Sequence, residues 1–141
     1  MVKNIMHMNE ITIIRENNFM INKRALKIYI DNEFIDYIEP KQKMKKVNIK
    51  NGSEFKVKLD WGSSNTIKID KQNNQNLKFN VTSQIQNGLF ILIFLSFFGS
   101  FILKFSGLIN DHVAIGLVLP LSIIVFWQTI GRKNYLRLTQ V

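Results

Sequence analysis

Two uninterrupted apolar runs in the last third of the chain limit its folds more than any other feature. "LFILIFLSFFGSFIL" covers residues 89–103 and "VAIGLVLPLSIIVFWQTI" covers residues 113–130, and neither contains a charged side chain. Helices that are apolar all round have to be covered on every side, by a large core or by lipid. The rest of this chain is too small and too rich in lysine to wrap two of them. Fifteen helical residues rise only ~23 Å, so the first run needs the following "KFSGLI" to match a ~30 Å hydrocarbon layer. This predicts spans over about 88–109 and 113–131. Lys104 then reaches outward from near the end of the first span, and "NDH" at residues 110–112 turns the hairpin.

Charge divides along the same line. Residues 1–87 hold fifteen of the nineteen Lys and Arg and nine of the ten Asp and Glu, a net charge of +6, whereas residues 88–131 hold only Lys104 and Asp111. The division predicts a soluble domain over 1–84, folding by itself, and a membrane hairpin with a basic C-terminal tail over 85–141. Arg132, Lys133 and Arg137 flank the outer end of the hairpin, so both termini are expected in the cytoplasm, with the protein integral to a bacterial-type inner membrane. Trp127 and Tyr135 are expected to anchor the final boundary in the interface. The opening "MVKNIMHMNEITII" has no continuous apolar stretch and no small-residue cleavage site, so a cleaved secretory signal is not expected.

Small residues in the spans predict how the hairpin packs. Ser96, Gly99 and Ser100 are placed to meet Ala114 and Gly116, and Pro120 is expected to kink the second span because it lacks an amide donor. No ionisable residue falls at the midplane, so no proton or ion relay is expected.

The N-terminal part alternates instead. "FKVKLDW" puts Phe55, Val57, Leu59 and Trp61 on one side and Lys56, Lys58 and Asp60 on the other; "LKIYID" does the same with Leu26, Ile28 and Ile30. A period of two marks half-buried strands. Turn signals at Asp31, Asn51, Gly62 and Lys71 separate about seven strands, near 10–15, 25–31, 34–38, 46–50, 54–61, 65–70 and 76–82. The fold class expected is an all-β antiparallel sandwich followed by a transmembrane α-helical hairpin.

"ALKIYIDNEFIDYI" followed by "VNIKNGSEFKVKLDW" resembles a PEGA-type module, a small β-sandwich, over residues 24–70. Asp31-Asn32 stands where that family usually has Asp-Gly, and Asn51-Gly52 where it has Pro-Gly or Gly-Glu. The resemblance implies an interaction or spacer module with no common set of catalytic residues.

Chemistry-bearing constellations are absent from the sequence. There is no cysteine, and neither His7 nor His112 has a second ligand at metal-binding spacing. Asp31, Glu33 and Asp36 surround a turn but lack the glycine and distal glutamate of a calcium loop. "DWGSSN" lacks the second glycine of a nucleophile elbow. No catalytic residue, cofactor or metal is therefore expected. Lys41, Lys43, Lys45 and Lys46 form the densest basic run, read as a loop that lies against anionic lipid. Aromatic residues interleaved with basic ones are too sparse on outward positions to suggest a nucleic-acid partner. The expected function is a membrane-tethered, non-catalytic module that binds a protein or a lipid surface. The alternatives are an accessory subunit of a transporter or envelope complex, and an immunity- or toxin-type membrane effector.

Overall fold

The computed structural model of the chain describes residues 8–70 and 76–141. His7, the opening segment and the turn expected at Lys71 lie outside the described residues. The chain forms two compact units: one joins the part up to Gln84 with Arg132–Val141, and the other is Ile85–Gly131.

The first unit is a β-sandwich. Its strands are β1 (Met8–Arg15), β2 (Leu26–Ile30), β3 (Glu33–Ile38), β4 (Met44–Lys50), β5 (Glu54–Lys58), β6 (Ile67–Lys68), β7 (Leu77–Ser83) and β8 (Leu136–Gln140). They form two four-stranded sheets, ordered β4-β1-β7-β8 and β3-β2-β5-β6. The alternation read from the sequence sets the inner faces: Ile11, Ile13, Phe79 and Val81 of the first sheet and Leu26, Ile28, Phe55 and Val57 of the second are all buried. Phe55 and Phe79 meet edge to face across the core with ring centroids 4.8 Å apart.

Three features depart from the expected sandwich. The segment read as a basic tail is an eighth strand, β8, paired antiparallel with β7. Its Leu136 and Leu138 alternate inward while Arg137 stays exposed. The domain boundary is corrected with it, because the hairpin is an insertion between two adjacent strands. Second, β1 and β7 run parallel, Ile13 opposite Phe79, so the sheet is mixed. Third, β5 stops at Lys58, short of Trp61, which lies in the following turn, half-buried against Tyr135 at 4.2 Å between centroids. Tyr135 itself is fully buried in the sandwich and is no interfacial anchor.

Arg15 closes one end of the sandwich. Its guanidinium donates to the carbonyls of Ile21, Arg24 and Ile38 at 2.8, 2.8 and 2.6 Å, and to Asn22 at 3.3 Å. One buried cation thereby ties the β1–β2 connection to the end of β3. Burial lowers its pKa, with Glu39 opposing the shift.

The second unit holds α1 (Asn87–Phe105), α2 (Asp111–Val118) and α3 (Leu121–Thr129), with a 3-10 turn over Ile130–Asn134. Two helical stretches, Asn87–Phe105 and Asp111–Asn134, are long and apolar enough to cross a membrane. The first ends sooner than the sequence suggested. Gly107 adopts a positive φ of 72°, and the amides of Gly107 and Leu108 reach back to Lys104 and Leu103. This left-handed cap closes α1, so Lys104 lies in its last turn and pairs with Asp111 at the start of α2. Asn110 caps α2 by accepting from the amide of Val113 at 3.0 Å. At Leu119–Pro120 the second stretch is interrupted, and the amides of Ser122 and Ile123 bond three residues back rather than four. A proline without a donor forces that tightening.

Candidate interaction face of the sandwich

The β2–β3 hairpin shapes the most distinctive surface of the sandwich. Asp31 and Asn32 both have positive φ, 49° and 67°. Two successive left-handed residues make the hairpin turn that matches strand twist, and Asp and Asn tolerate that region better than other non-glycine residues. Asp31 also clasps the neighbouring turn: its carboxylate accepts from Ser53 Oγ at 2.6 Å and from the Glu54 amide at 2.9 Å. These two bonds hold the carboxyl below its usual pKa. Its oxygens serve the fold, and among the described residues no three His, Cys, Asp or Glu side chains converge as metal ligands.

A bulge then redirects β3. Ile28 faces Asp36, but Tyr29 faces Phe34, which leaves Ile35 without a partner in the register. In an unbroken strand Phe34 and Tyr37, three apart, would point to opposite sides. The extra residue brings both to the outer face. There Phe34 meets Tyr29 at 5.9 Å and Tyr37 at 4.6 Å between centroids. Phe34 is 45% exposed and Tyr37 38% exposed.

Lysines surround these rings. Phe55 and Val57 point inward, so Lys56 and Lys58 of β5 point outward beside β2. Lys58 Nζ lies 4.3 Å from the centre of the Tyr29 ring, Lys56 donates to the side-chain oxygen of Asn32 at 2.5 Å, and Lys27 pairs with Asp60 at 2.9 Å. The outer edge of β3 is guarded. Asp36 accepts from the amide of Tyr37 at 2.7 Å and pairs with Lys45 at 2.7 Å, and the bulge breaks the ladder. Such features discourage a further strand from adding there.

The basic run read as a lipid-facing loop is divided by the fold. Lys41 and Lys43 lie in the loop, but β4 begins at Met44, so Lys45 and Lys46 are strand residues. Lys45 pairs with Asp36, and Lys46 pairs with Glu10 at 2.7 Å. Two of the four cations are thus held in ion pairs on a strand, and only Lys41 and Lys43 of the run belong to the loop. The hydroxyls of "GSS" serve the structure: Ser63 donates to the Lys133 carbonyl at 2.7 Å, and Ser64 accepts from the Val57 amide at 2.9 Å.

In the hairpin, Ser96 donates to the Leu117 carbonyl at 2.6 Å and joins α1 to α2. Ser100, buried, and Ala114 line one apolar recess of about 440 Å³ with Phe101 and Leu119. Gly99 and Gly116 are not close-packing points, since a β-carbon added at either would meet nothing within 4 Å. Pro120 acts on the backbone, at the helix break described above.

Comparison with protein-family models and with curated proteins gives no match.

Reading outward positions by strict alternation missed the aromatic face. "NEFIDYI" does contain the signal, two aromatic residues at a spacing that an unbulged strand cannot place on one side.

Proposed function

We propose that this protein is a membrane-tethered, non-catalytic β-sandwich module that docks a partner beside a bacterial-type inner membrane. The observation that carries the reading is the pairing of β7 with β8, because the two apolar helical stretches form the connection between them. A hairpin inserted in this way holds the sandwich by both of its ends, and both termini of the chain share one side of the membrane. Leu92, Leu95 and Ile102 are 65%, 62% and 69% exposed; lipid removes such apolar surface from water. A cytoplasmic side for the sandwich is supported by Arg132, Lys133 and the lysine-rich strands, against a tip where Lys104 and Asp111 neutralise each other.

The non-catalytic assignment draws on the carboxylate of Asp31 and the hydroxyls of Ser63 and Ser64, which hold turns together. Kinship with PEGA-type spacer modules over residues 24–70 belongs to the same proposal, carried by the two clasped turns at Asp31-Asn32 and Asn51-Gly52.

Alkaline carbonate extraction of cell membranes tests the tether. The chain is expected to stay in the pellet, and Leu95→Arg combined with Ile115→Arg is expected to release it. A wild-type chain recovered in the supernatant would overturn the proposal.

A further inference from the structure

We infer that the outer face formed by Tyr29, Phe34, Tyr37, Lys56 and Lys58 docks a protein segment whose apolar side chains are flanked by Asp or Glu. The inference rests on the reading of the sandwich as a binding module, and it names the surface and the class of partner.

Three adjacent aromatic rings on one sheet face form a compact apolar centre, with Phe34 and Tyr37 well exposed. Aromatic clusters of this kind are the groups that dominate binding energy when a partner covers them. The charge around the centre selects the partner's sign. Lys56 is held by a neutral amide and Lys58 by a ring face; among the described residues neither forms an ion pair with a carboxylate. An acidic partner supplies those missing counterions, which speeds encounter and fixes register.

The same geometry argues against other occupants. Phe34 packs on Tyr29 at an interplanar angle of 70° and on Tyr37 at 55°, and Lys58 covers one face of Tyr29. Rings packed edge-on or tilted against each other, with one face covered by a lysine, do not offer the free faces on which bases stack. The guarded edge of β3 opposes capture by strand addition, so recognition falls to side chains on the face.

The full chain in zwitterionic nanodiscs, panned against a displayed library of random peptides, tests this directly. The enriched peptides are expected to carry aromatic or aliphatic residues flanked by Asp and Glu. Lys56→Glu with Lys58→Glu is expected to turn the flanking preference toward Lys and Arg. Phe34→Ser and, separately, Tyr37→Ser are each expected to weaken a selected peptide by about tenfold or more, while Lys41→Gln with Lys43→Gln leaves it unchanged. Trp61 emission, read in a Trp127→Phe background, checks that each variant is folded.

Enrichment without an acidic excess, or one indifferent to charge reversal, overturns the inference. So does tighter binding of oligothymidylate or of phosphatidylserine nanodiscs, lost in the same variants. Membrane extraction is scored separately. A chain that proves soluble yet selects acidic–apolar peptides supports the face and removes the tether; a tethered chain that enriches no peptide does the reverse.

Discussion

Val81 of β7 lies opposite Leu138 of β8 in antiparallel register, and both are buried, although both apolar helical stretches separate them in the sequence. The sandwich is therefore complete only after the chain has returned from the hairpin. Leu138→Ala is expected to lower the stability of the sandwich by ~2–4 kcal/mol. Ending the chain at Gly131 should cost more, because it removes Tyr135 and Leu136 from the core and leaves β7 as a bare edge. Denaturant unfolding of the full chain in micelles measures both. Trp61 reports on the sandwich when Trp127→Phe silences the other indole.

Arg15→Met should destabilise the same unit by about 3 kcal/mol or more. It leaves the carbonyls of Ile21, Arg24 and Ile38 without their charged donor. Lysine is expected to restore only part of the loss, since a single ammonium cannot reproduce the planar fork. Unfolding midpoints of the two variants check the order.

Tyr135 and Trp61 touch, yet their substitutions should differ. Tyr135 is fully buried, and its hydroxyl approaches Ser83 without reaching hydrogen-bond geometry. Burial raises its pKa, with Ser83 and Arg24 opposing. Removing an unsatisfied buried hydroxyl relieves a desolvation cost, so Tyr135→Phe is expected to be neutral or stabilising, and Tyr135→Ala to cost ~3–5 kcal/mol. Trp61 is only half-buried, and Trp61→Ala should cost less than Tyr135→Ala. Thermal melts of the three variants make the comparison.

Much of the sandwich was legible because the period of two runs locally through β2, β4, β5 and β7, and Asn51-Gly52 marks its own turn. What escaped depended on distant partners. "LRLTQ" has only two inward leucines and follows a basic pair, so without β7 beside it the segment reads as a tail. Lys45 and Lys46 read as part of a lipid-facing loop because their counterions, Asp36 and Glu10, come from other strands. The aromatic face escaped for a different reason: a bulge changes the phase of a strand, and strict alternation assumes the phase is constant. In the hairpin, composition located both helical stretches, but the end of α1 was set by Gly107 and not by where apolar residues stop.

Acid should weaken the sandwich with a defined sign. Asp31 is held below its usual pKa by Ser53 and the Glu54 amide, and Asp36 by Lys45 and the Tyr37 amide. Folded values below the ordinary range of an aspartate carboxyl mean that the unfolded chain takes up protons first. The contribution is therefore present above that range and lost as pH falls through the folded pKa values. Urea midpoints are expected to be level from neutral pH down to about pH 5 and to fall below about pH 4. Asp31→Asn should lower the neutral-pH midpoint and flatten the acid limb.

The absence of cysteine from the sequence makes one measurement decisive for the inserted, membrane-crossing hairpin. Single cysteines at Asn110, Asn48 and Thr139 place one thiol at the hairpin tip and two on strands β4 and β8 of the sandwich. Intact spheroplasts are treated with a membrane-impermeant maleimide, before and after permeabilisation. The expected result is labelling of Asn110→Cys from outside, with Asn48→Cys and Thr139→Cys protected until the membrane is opened. Labelling of Asn48→Cys and Thr139→Cys from outside, with Asn110→Cys protected, would reverse the orientation of the sandwich, whereas labelling of all three from outside would put the tip and the sandwich on one side and contradict the crossing. Protection of all three until permeabilisation, or different sidedness for Asn48→Cys and Thr139→Cys, would contradict a hairpin that leaves β7, crosses the membrane and returns as β8.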